Sequence, residues 1–108
     1  TNSARKSVLT EEATSLKKEL QAVSASAGTG DYEKLSWSKV NGFTFSTSSE
    51  TKDVDRLKVL LKEDGLKGTM EEYSNNKDNS IKEIIYSSTN YNKIAIIDTT
   101  NWNINYEN

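Results

Sequence analysis

The apolar positions in the first quarter of the chain follow a helical period. Six of them are spaced alternately by four and three residues: Leu9, Ala13, Leu16, Leu20, Val23 and Ala27. This spacing predicts one face of a helix from about Val8 to Ala27. Ser7 or Thr10 can cap its start, and Gly28 and Gly30 are expected to end it. We expect the apolar stripe to cover a sheet of the same domain, with a coiled-coil seam as the alternative.

The following segment, residues 31–48, has two interpretations. Asn41-Gly42 separates two short apolar segments and is typical of a tight type I′ hairpin, since both residues tolerate positive φ. Alternatively, Asp31 caps a short helix that ends at Gly42. In both cases Phe43 to Ser46 is predicted to be a strand.

A second amphipathic helix is predicted next, and strands follow it. Val54, Leu57, Leu60 and Leu61 share one helical face, and Gly65 is a suitable end. Strands are then predicted over residues 66–74, 80–88 and from Lys93 onward, joined by short polar turns.

The last of these segments has its own pattern of alternation. Five large residues share one parity, which predicts a single buried face: Ile94, Ile96, Trp102, Ile104 and Tyr106. Asp98 and Thr100 interrupt that parity, so a bulge, a bend or an exit from the sheet is expected near Asp98 to Asn101. Consecutive strands joined by short turns indicate an antiparallel meander. The chain is therefore predicted to be one α+β domain over residues 1–108, with a long N-terminal helix on an antiparallel sheet.

The composition indicates a small core and excludes several chemistries. Only 33% of the 108 residues are hydrophobic, whereas 36 are Ser, Thr or Asn. Such a domain is expected to depend on a second copy, a partner or further parts of a longer chain for stability. Histidine and cysteine are absent from the sequence, which removes the most common acid-base group near neutral pH, disulfides and thiolate ligands.

The charge distribution and the apolar runs bear on partners and location. The net charge is -2 with both signs interspersed, so a nucleic acid is not expected as a direct partner. The longest aliphatic run is Ile94 to Ile97, far shorter than a spanning helix. Because the chain begins with Thr1, we expect a processed product or an excised domain, with any membrane attachment in a segment outside these residues.

The remaining polar residues do not form a convincing catalytic or metal-binding pattern. The spacing S-x-x-K occurs at Ser3, Ser15 and Ser36 without the other motifs of serine acyltransferases. Acidic residues around Asp53 fit helix capping better than a calcium loop. Asp98 and Tyr86 are the only plausible pair for an acid in an apolar pocket. We therefore predict no catalytic residue, no metal and no cofactor.

The aromatic residues are the best candidates for function. Trp37, Tyr91, Trp102 and Tyr106 lie in or beside predicted strands. Large amphipathic rings of this kind are frequent anchors at protein interfaces, although a small core also uses them as filling. The four residues are predicted to be protein-interaction candidates.

The order of elements resembles the cystatin-like and nuclear-transport-factor-two-like folds, in which a curved sheet wraps around a long helix. Together with the missing cysteine and the Lys- and Asn-rich composition, it looks most like the extracytoplasmic domain of the bitopic channel component of type IV secretion systems. The closest variety is the TraM-type protein of Gram-positive conjugative plasmids. The resemblance rests on topology and composition, so no family residue is transferred to this sequence.

That resemblance implies a non-catalytic assembly module of a DNA-transfer channel, outside the cytoplasm and anchored through a missing N-terminal segment. Its partners would be other proteins or further copies of the chain, as a trimer or a weaker oligomer. One alternative is a secreted or lipid-anchored cystatin-like binding or inhibitor protein, although the QxVxG inhibitory loop is absent from the sequence. A second alternative is a small enzyme that uses Asp98 and Tyr86.

Overall fold

A computed structural model of the chain describes residues 2–30, 35–38, 42–45, 68–75, 81–89 and 91–107. Within these ranges one helix packs on an antiparallel sheet of six strands, which confirms the α+β class. The helix is α1 (Asn2–Ser26), and the strands are β1 (Leu35–Ser38), β2 (Gly42–Phe45), β3 (Thr69–Asn75), β4 (Ile81–Ser87), β5 (Ile94–Asp98) and β6 (Ile104–Glu107). The predicted second helix lies outside the described residues.

Helix α1 begins two turns earlier than the sequence predicts. Ser7 and Thr10 therefore lie inside it, and their predicted capping role is wrong. The Thr10 hydroxyl instead donates a hydrogen bond to the Lys6 carbonyl one turn back, at 2.9 Å. The predicted end is confirmed, because Gly28 has a φ of 85°, a left-handed conformation that glycine adopts without steric cost.

The predicted apolar stripe of α1 is confirmed as its buried face. Leu9, Ala13, Leu16, Leu20 and Val23 are each at most 2% exposed. They form one core with buried residues of the strands, namely Leu35, Met70, Ile81, Ile84, Tyr86, Ala95 and Ile97. Among the strands, α1 contacts β5 most extensively. The helix therefore lies nearest to β5, and its buried face shares one core with residues of β1, β3 and β4.

The strand order places β6 at one end of the sheet. Neighbouring strands run β1-β2-β4-β5-β6, and β3 pairs with β4 beside this path. Among the described residues, strand β2 pairs with β4 at Phe43 and Ile81. Strand β3 pairs with β4 along its length, with irregularities between Glu72 and Asn75.

Of the two interpretations of residues 31–48, the hairpin is confirmed for the described residues. Leu35 pairs with Phe45, and Ser38 pairs with Gly42. Residues 35–38 are therefore a strand, and the short-helix alternative is wrong there. This register leaves three residues between the strands and places Gly42 inside β2. A two-residue turn at Asn41-Gly42 would instead pair Val40 with Phe43.

The final segment is a hairpin of two strands, whereas the sequence predicts one strand with a bulge, a bend or an exit from the sheet near Asp98 to Asn101. Strand β5 pairs with β6 from Ile94 opposite Glu107 to Ile97 opposite Ile104. The reversal occurs within residues 99–103, which include the expected break. Because the chain turns back there, Ile96 pairs with Asn105 and lies on the opposite face from Ile104. The predicted common face of the five large residues is therefore wrong.

Candidate functional site

A cleft of about 390 Å³ lies where the first turns of α1 meet the open end of the β5–β6 hairpin. Its lining residues come from α1, from the segment before β5 and from the end of β6: Lys6, Leu9, Tyr91, Lys93, Tyr106 and Glu107. Leu9 belongs to the core and is 2% exposed, so it forms an apolar floor. Two of the four predicted interaction residues, Tyr91 and Tyr106, are thus brought together here.

The rim of this cleft is charged and the rings are accessible. Lys6, Lys93 and Glu107 are exposed, Tyr91 is half-buried, and Tyr106 is 44% exposed. An apolar floor with two tyrosines and a charged border resembles the composition of protein interfaces, which combine an aromatic centre with a polar rim. The cleft can accept an apolar side chain of a partner while its lysines contact a nearby anionic group.

Strand β6 forms an edge beside this cleft. Its neighbour in the sheet is β5, and no other described strand pairs with it. Asn105, Tyr106 and Glu107 are all exposed. An edge strand presents unpaired backbone N–H and C=O groups, and natural proteins usually protect it with lysine, proline or a bulge. From Ile104 to Tyr106, β6 has none of these.

The other two predicted interaction residues form a separate pair. The rings of Trp37 and Trp102 stack with their centroids 5.4 Å apart and an angle of 18° between the planes. Both are partly buried and pack against the core. Trp102 lies at the turn end of the β5–β6 hairpin and Tyr106 near its open end, separated by roughly 13 Å along the strand at about 3.3 Å per residue.

The backbone at Trp102 is unusual. Its φ is 64°, and it is the one non-glycine residue with positive φ among the described residues. This left-handed conformation costs a residue with a Cβ roughly 1–2 kcal/mol. Trp102 nevertheless lies in the loop between β5 and β6, where its N–H donates to the Asp98 carbonyl at 2.9 Å. The stacked Trp37 ring therefore helps to hold a conformation that the backbone alone disfavours.

Asp98 organises the same turn. Its carboxylate accepts hydrogen bonds from the N–H groups of Thr100, at 2.7 Å, and Asn101, at 3.2 Å. Its own N–H donates to the Asn103 carbonyl at 2.9 Å. An aspartate that bonds to amides two and three residues ahead is a common turn-forming device. Asp98 is therefore occupied in fixing the hairpin.

Tyr86 has different partners from those suggested by the sequence. Its hydroxyl donates to a carboxylate oxygen of Glu12 on α1 and accepts from the Gly68 N–H at 3.0 Å. Burial, followed by the neighbouring Glu12 carboxylate, raises the pKa of Tyr86 to about 12. Tyr86 pairs with Ala95 on the helix-facing side, whereas Asp98 pairs with Glu83 on the other side. The structure thus does not bring Asp98 and Tyr86 together.

The Glu12–Tyr86–Gly68 contact was missed by sequence reasoning. Glu12 adjoins the buried stripe in α1, which is a weak signal that its side chain can reach the sheet. Nothing in the spacing links it to a residue 74 positions away. The close approach of Gly68 to Tyr86 requires a residue without a side chain, because a Cβ at position 68 would lie 2.6 Å from the Tyr86 Cζ atom.

No family model, curated protein or solved structure matches the chain. The α+β class therefore rests on the observed helix and sheet, and the cystatin-like subclass stays a prediction. Among the described residues, no group of three or more acidic residues is placed to hold a metal ion. None of the helical segments in the described ranges is both long and apolar enough to cross a bilayer.

Proposed function

We propose that this domain is a non-catalytic assembly module that acts through protein–protein contacts at the cleft between α1 and the β5–β6 hairpin. The observation that supports this most is the exposed Tyr106 at that cleft, on an edge strand that lacks the usual protection. The position of Tyr106 lets one partner contact the side chains of the cleft and the backbone of β6 at the same time.

The chemistry of the cleft suits a protein ligand better than a small polar substrate. Tyrosine supplies a large, rigid contact area together with a hydroxyl that remains satisfied at a wet border. Lys6 and Lys93 add positive charge at the rim, which favours partners with a carboxylate beside an apolar side chain. The stacked tryptophans contribute indirectly, since they stabilise the hairpin that carries Tyr106.

The wider setting that we propose is the channel of a conjugative type IV secretion system at the cell surface. This part of the proposal depends on the resemblance in element order and composition to the extracytoplasmic domain of TraM-type proteins. The module would be anchored through a segment outside these residues, and its partners would be channel proteins or further copies of itself.

Site-specific photo-crosslinking in the source cells tests the contact surface. A photoreactive phenylalanine analogue at Tyr91 is expected to crosslink to a specific protein. The same analogue at Tyr73 serves as a matched control, since Tyr73 is a tyrosine that is 50% exposed on β3. Equal crosslinking from both positions, or none from Tyr91, would contradict the proposed surface.

A genetic test addresses the channel setting. Deletion of the gene is expected to lower DNA transfer from cells that carry it, and the wild-type gene should restore transfer. A charge reversal at the cleft, Lys93→Glu, should restore it poorly, whereas Lys82→Glu on the exposed part of β4 should restore it well. Unchanged DNA transfer after deletion would refute the conjugation setting. The proposed contact surface would then be judged by the crosslinking experiment alone.

A further inference from the structure

We infer that the edge of β6 pairs with β6 of a second copy of this chain in an antiparallel, two-fold symmetric arrangement centred on Asn105. This inference rests on the proposed assembly function and names one partner for it. Three features support this pairing: the backbone pattern of the β5–β6 hairpin, the residues of β6 and the position of α1.

The hydrogen-bond pattern of the hairpin determines which groups of β6 point outward. The Asp98 N–H donates to the Asn103 carbonyl, so the Asn103 C=O points toward β5. In an antiparallel ladder this orientation alternates. Asn105 and Glu107 therefore also direct their N–H and C=O toward β5, while Ile104 and Tyr106 direct theirs away from the sheet.

One register uses all four outward groups of β6. Ile104 of each copy must face Tyr106 of the other, which places the two copies of Asn105 opposite each other on the two-fold axis. A register centred on Ile104 would need outward groups at residue 102, but the Trp102 N–H is already bonded to Asp98. The Asn105 register therefore gives four backbone hydrogen bonds within the bounds of the strand.

The side chains are compatible with this register. On the helix-facing side, Tyr106 of each copy meets Ile104 of the other, an aromatic and β-branched pair of the kind that stabilises sheets. On the other side, two asparagine amides can bond to each other. Glu107 faces Asn103 of the second copy, so no like charges meet across the axis.

The helices leave room for the pairing. A two-fold axis perpendicular to the sheet places both copies of α1 on the same face, each above its own β5. Three strand spacings of about 4.8 Å separate the two β5 strands, or roughly 14 Å. Packed helices lie about 8–10 Å apart, so α1 does not obstruct α1 of the second copy. The rings of Tyr106 occupy the groove between them.

Strand β3 is a less suitable edge for the same purpose. Its pairing with β4 is irregular between Glu72 and Asn75, and it carries the exposed Glu71. Irregularities and charges of this type disfavour the addition of another strand. The regular, uncharged stretch from Ile104 to Tyr106 therefore distinguishes β6 from β3.

A charge-swap experiment tests the pairing. Because Asn105 would face itself, Asn105→Lys and Asn105→Glu should each weaken self-association, while an equimolar mixture of the two variants should restore it. Sedimentation equilibrium of the purified chain from about 10 μM to 1 mM is the measurement, since this range covers dissociation constants on the order of 0.1 mM. We expect at least a tenfold weakening for each single variant.

Controls separate the possible outcomes. The same substitutions at the exposed Thr69 of β3 should leave association unchanged, and circular dichroism verifies that each variant is folded. A wild-type chain that is monomeric at 1 mM would overturn the inference, as would Asn105 variants that associate normally or a mixture that stays monomeric. If the chain is monomeric and Tyr91 crosslinks to a different protein, the self-pairing is wrong and the assembly function stands.

Discussion

Replacing Trp102 by glycine should destabilise the domain less than replacing it by alanine. In a strand or helix the order is the reverse, because glycine costs roughly 0.5–1 kcal/mol relative to alanine. At a φ of 64°, however, alanine keeps the left-handed strain and glycine removes it. Both variants lose the stacked ring, so their difference reports the backbone alone.

The magnitudes follow from the structure. Removing a fully buried tryptophan costs about 3–5 kcal/mol, and Trp102 is only partly buried, so we expect about 2–3 kcal/mol for Trp102→Ala. This includes about 0.5–1.5 kcal/mol from the stack with Trp37. Relief of the left-handed strain is worth about 1 kcal/mol, so Trp102→Gly should cost about 1–2 kcal/mol.

Urea unfolding followed by far-ultraviolet circular dichroism measures these differences, with equal m-values as the condition for comparison. Trp37 provides a matched control, since it is the other member of the stack and lies in the regular strand β1. There, Trp37→Gly should be less stable than Trp37→Ala. If Trp102→Gly is also less stable than Trp102→Ala, the stack does not support a strained turn.

Three further predictions concern the contacts that join the elements. Gly68→Ala should lower the free energy of unfolding by about 1–3 kcal/mol, measured by urea unfolding, because the new Cβ would overlap the Ser87 carbonyl oxygen and the Tyr86 ring. An undiminished stability would contradict that packing. Because burial raises the pKa of Tyr86 to about 12, folding stability should fall between pH 10 and 12 by at most about 1.4 kcal/mol per pH unit. Tyr86→Phe should remove this component of the pH dependence, and an unchanged slope would argue against it. Asp98→Ala should lower the free energy of unfolding by about 1–2 kcal/mol, because two amide hydrogen bonds are lost. Asp98→Asn should retain most of the stability in the same assay. Equal losses for the two variants would show that the turn does not depend on a side-chain acceptor.

The parts of the fold that depend on short-range periodicity were predictable. The stripe from Leu9 to Val23 needs only its own spacing to identify the buried face, and Gly28 ends the helix through a local conformational preference. Strand β2 was predicted for similar reasons, whereas β1 was one of two interpretations, the other being a short helix. The start of α1 was not, because the hydrophobic stripe begins at Leu9 and no sequence signal distinguishes the preceding turns from a flexible segment.

Features that depend on chain reversal or on distant partners were predicted poorly. Parity along the last segment cannot reveal that a loop at 99–103 exchanges the two faces, so it predicts Ile96 and Ile104 on the same side. The aromatic candidates were named as a single group, but topology separates Trp37 and Trp102 from Tyr91 and Tyr106. The Glu12 partner of Tyr86 required the three-dimensional arrangement.

The packing of α1 on β5 also constrains how the chain can fold. The first helix finds its main partner about 70 residues later in the sequence, and Glu12 meets Tyr86 across 74 residues. Loop-closure entropy must be overcome before these contacts form, which typically slows folding to milliseconds or seconds. During synthesis the stripe from Leu9 to Val23 therefore stays without its sheet until the C-terminal strands have emerged from the ribosome. The domain becomes protected against proteolysis and aggregation only after β5 has been synthesised.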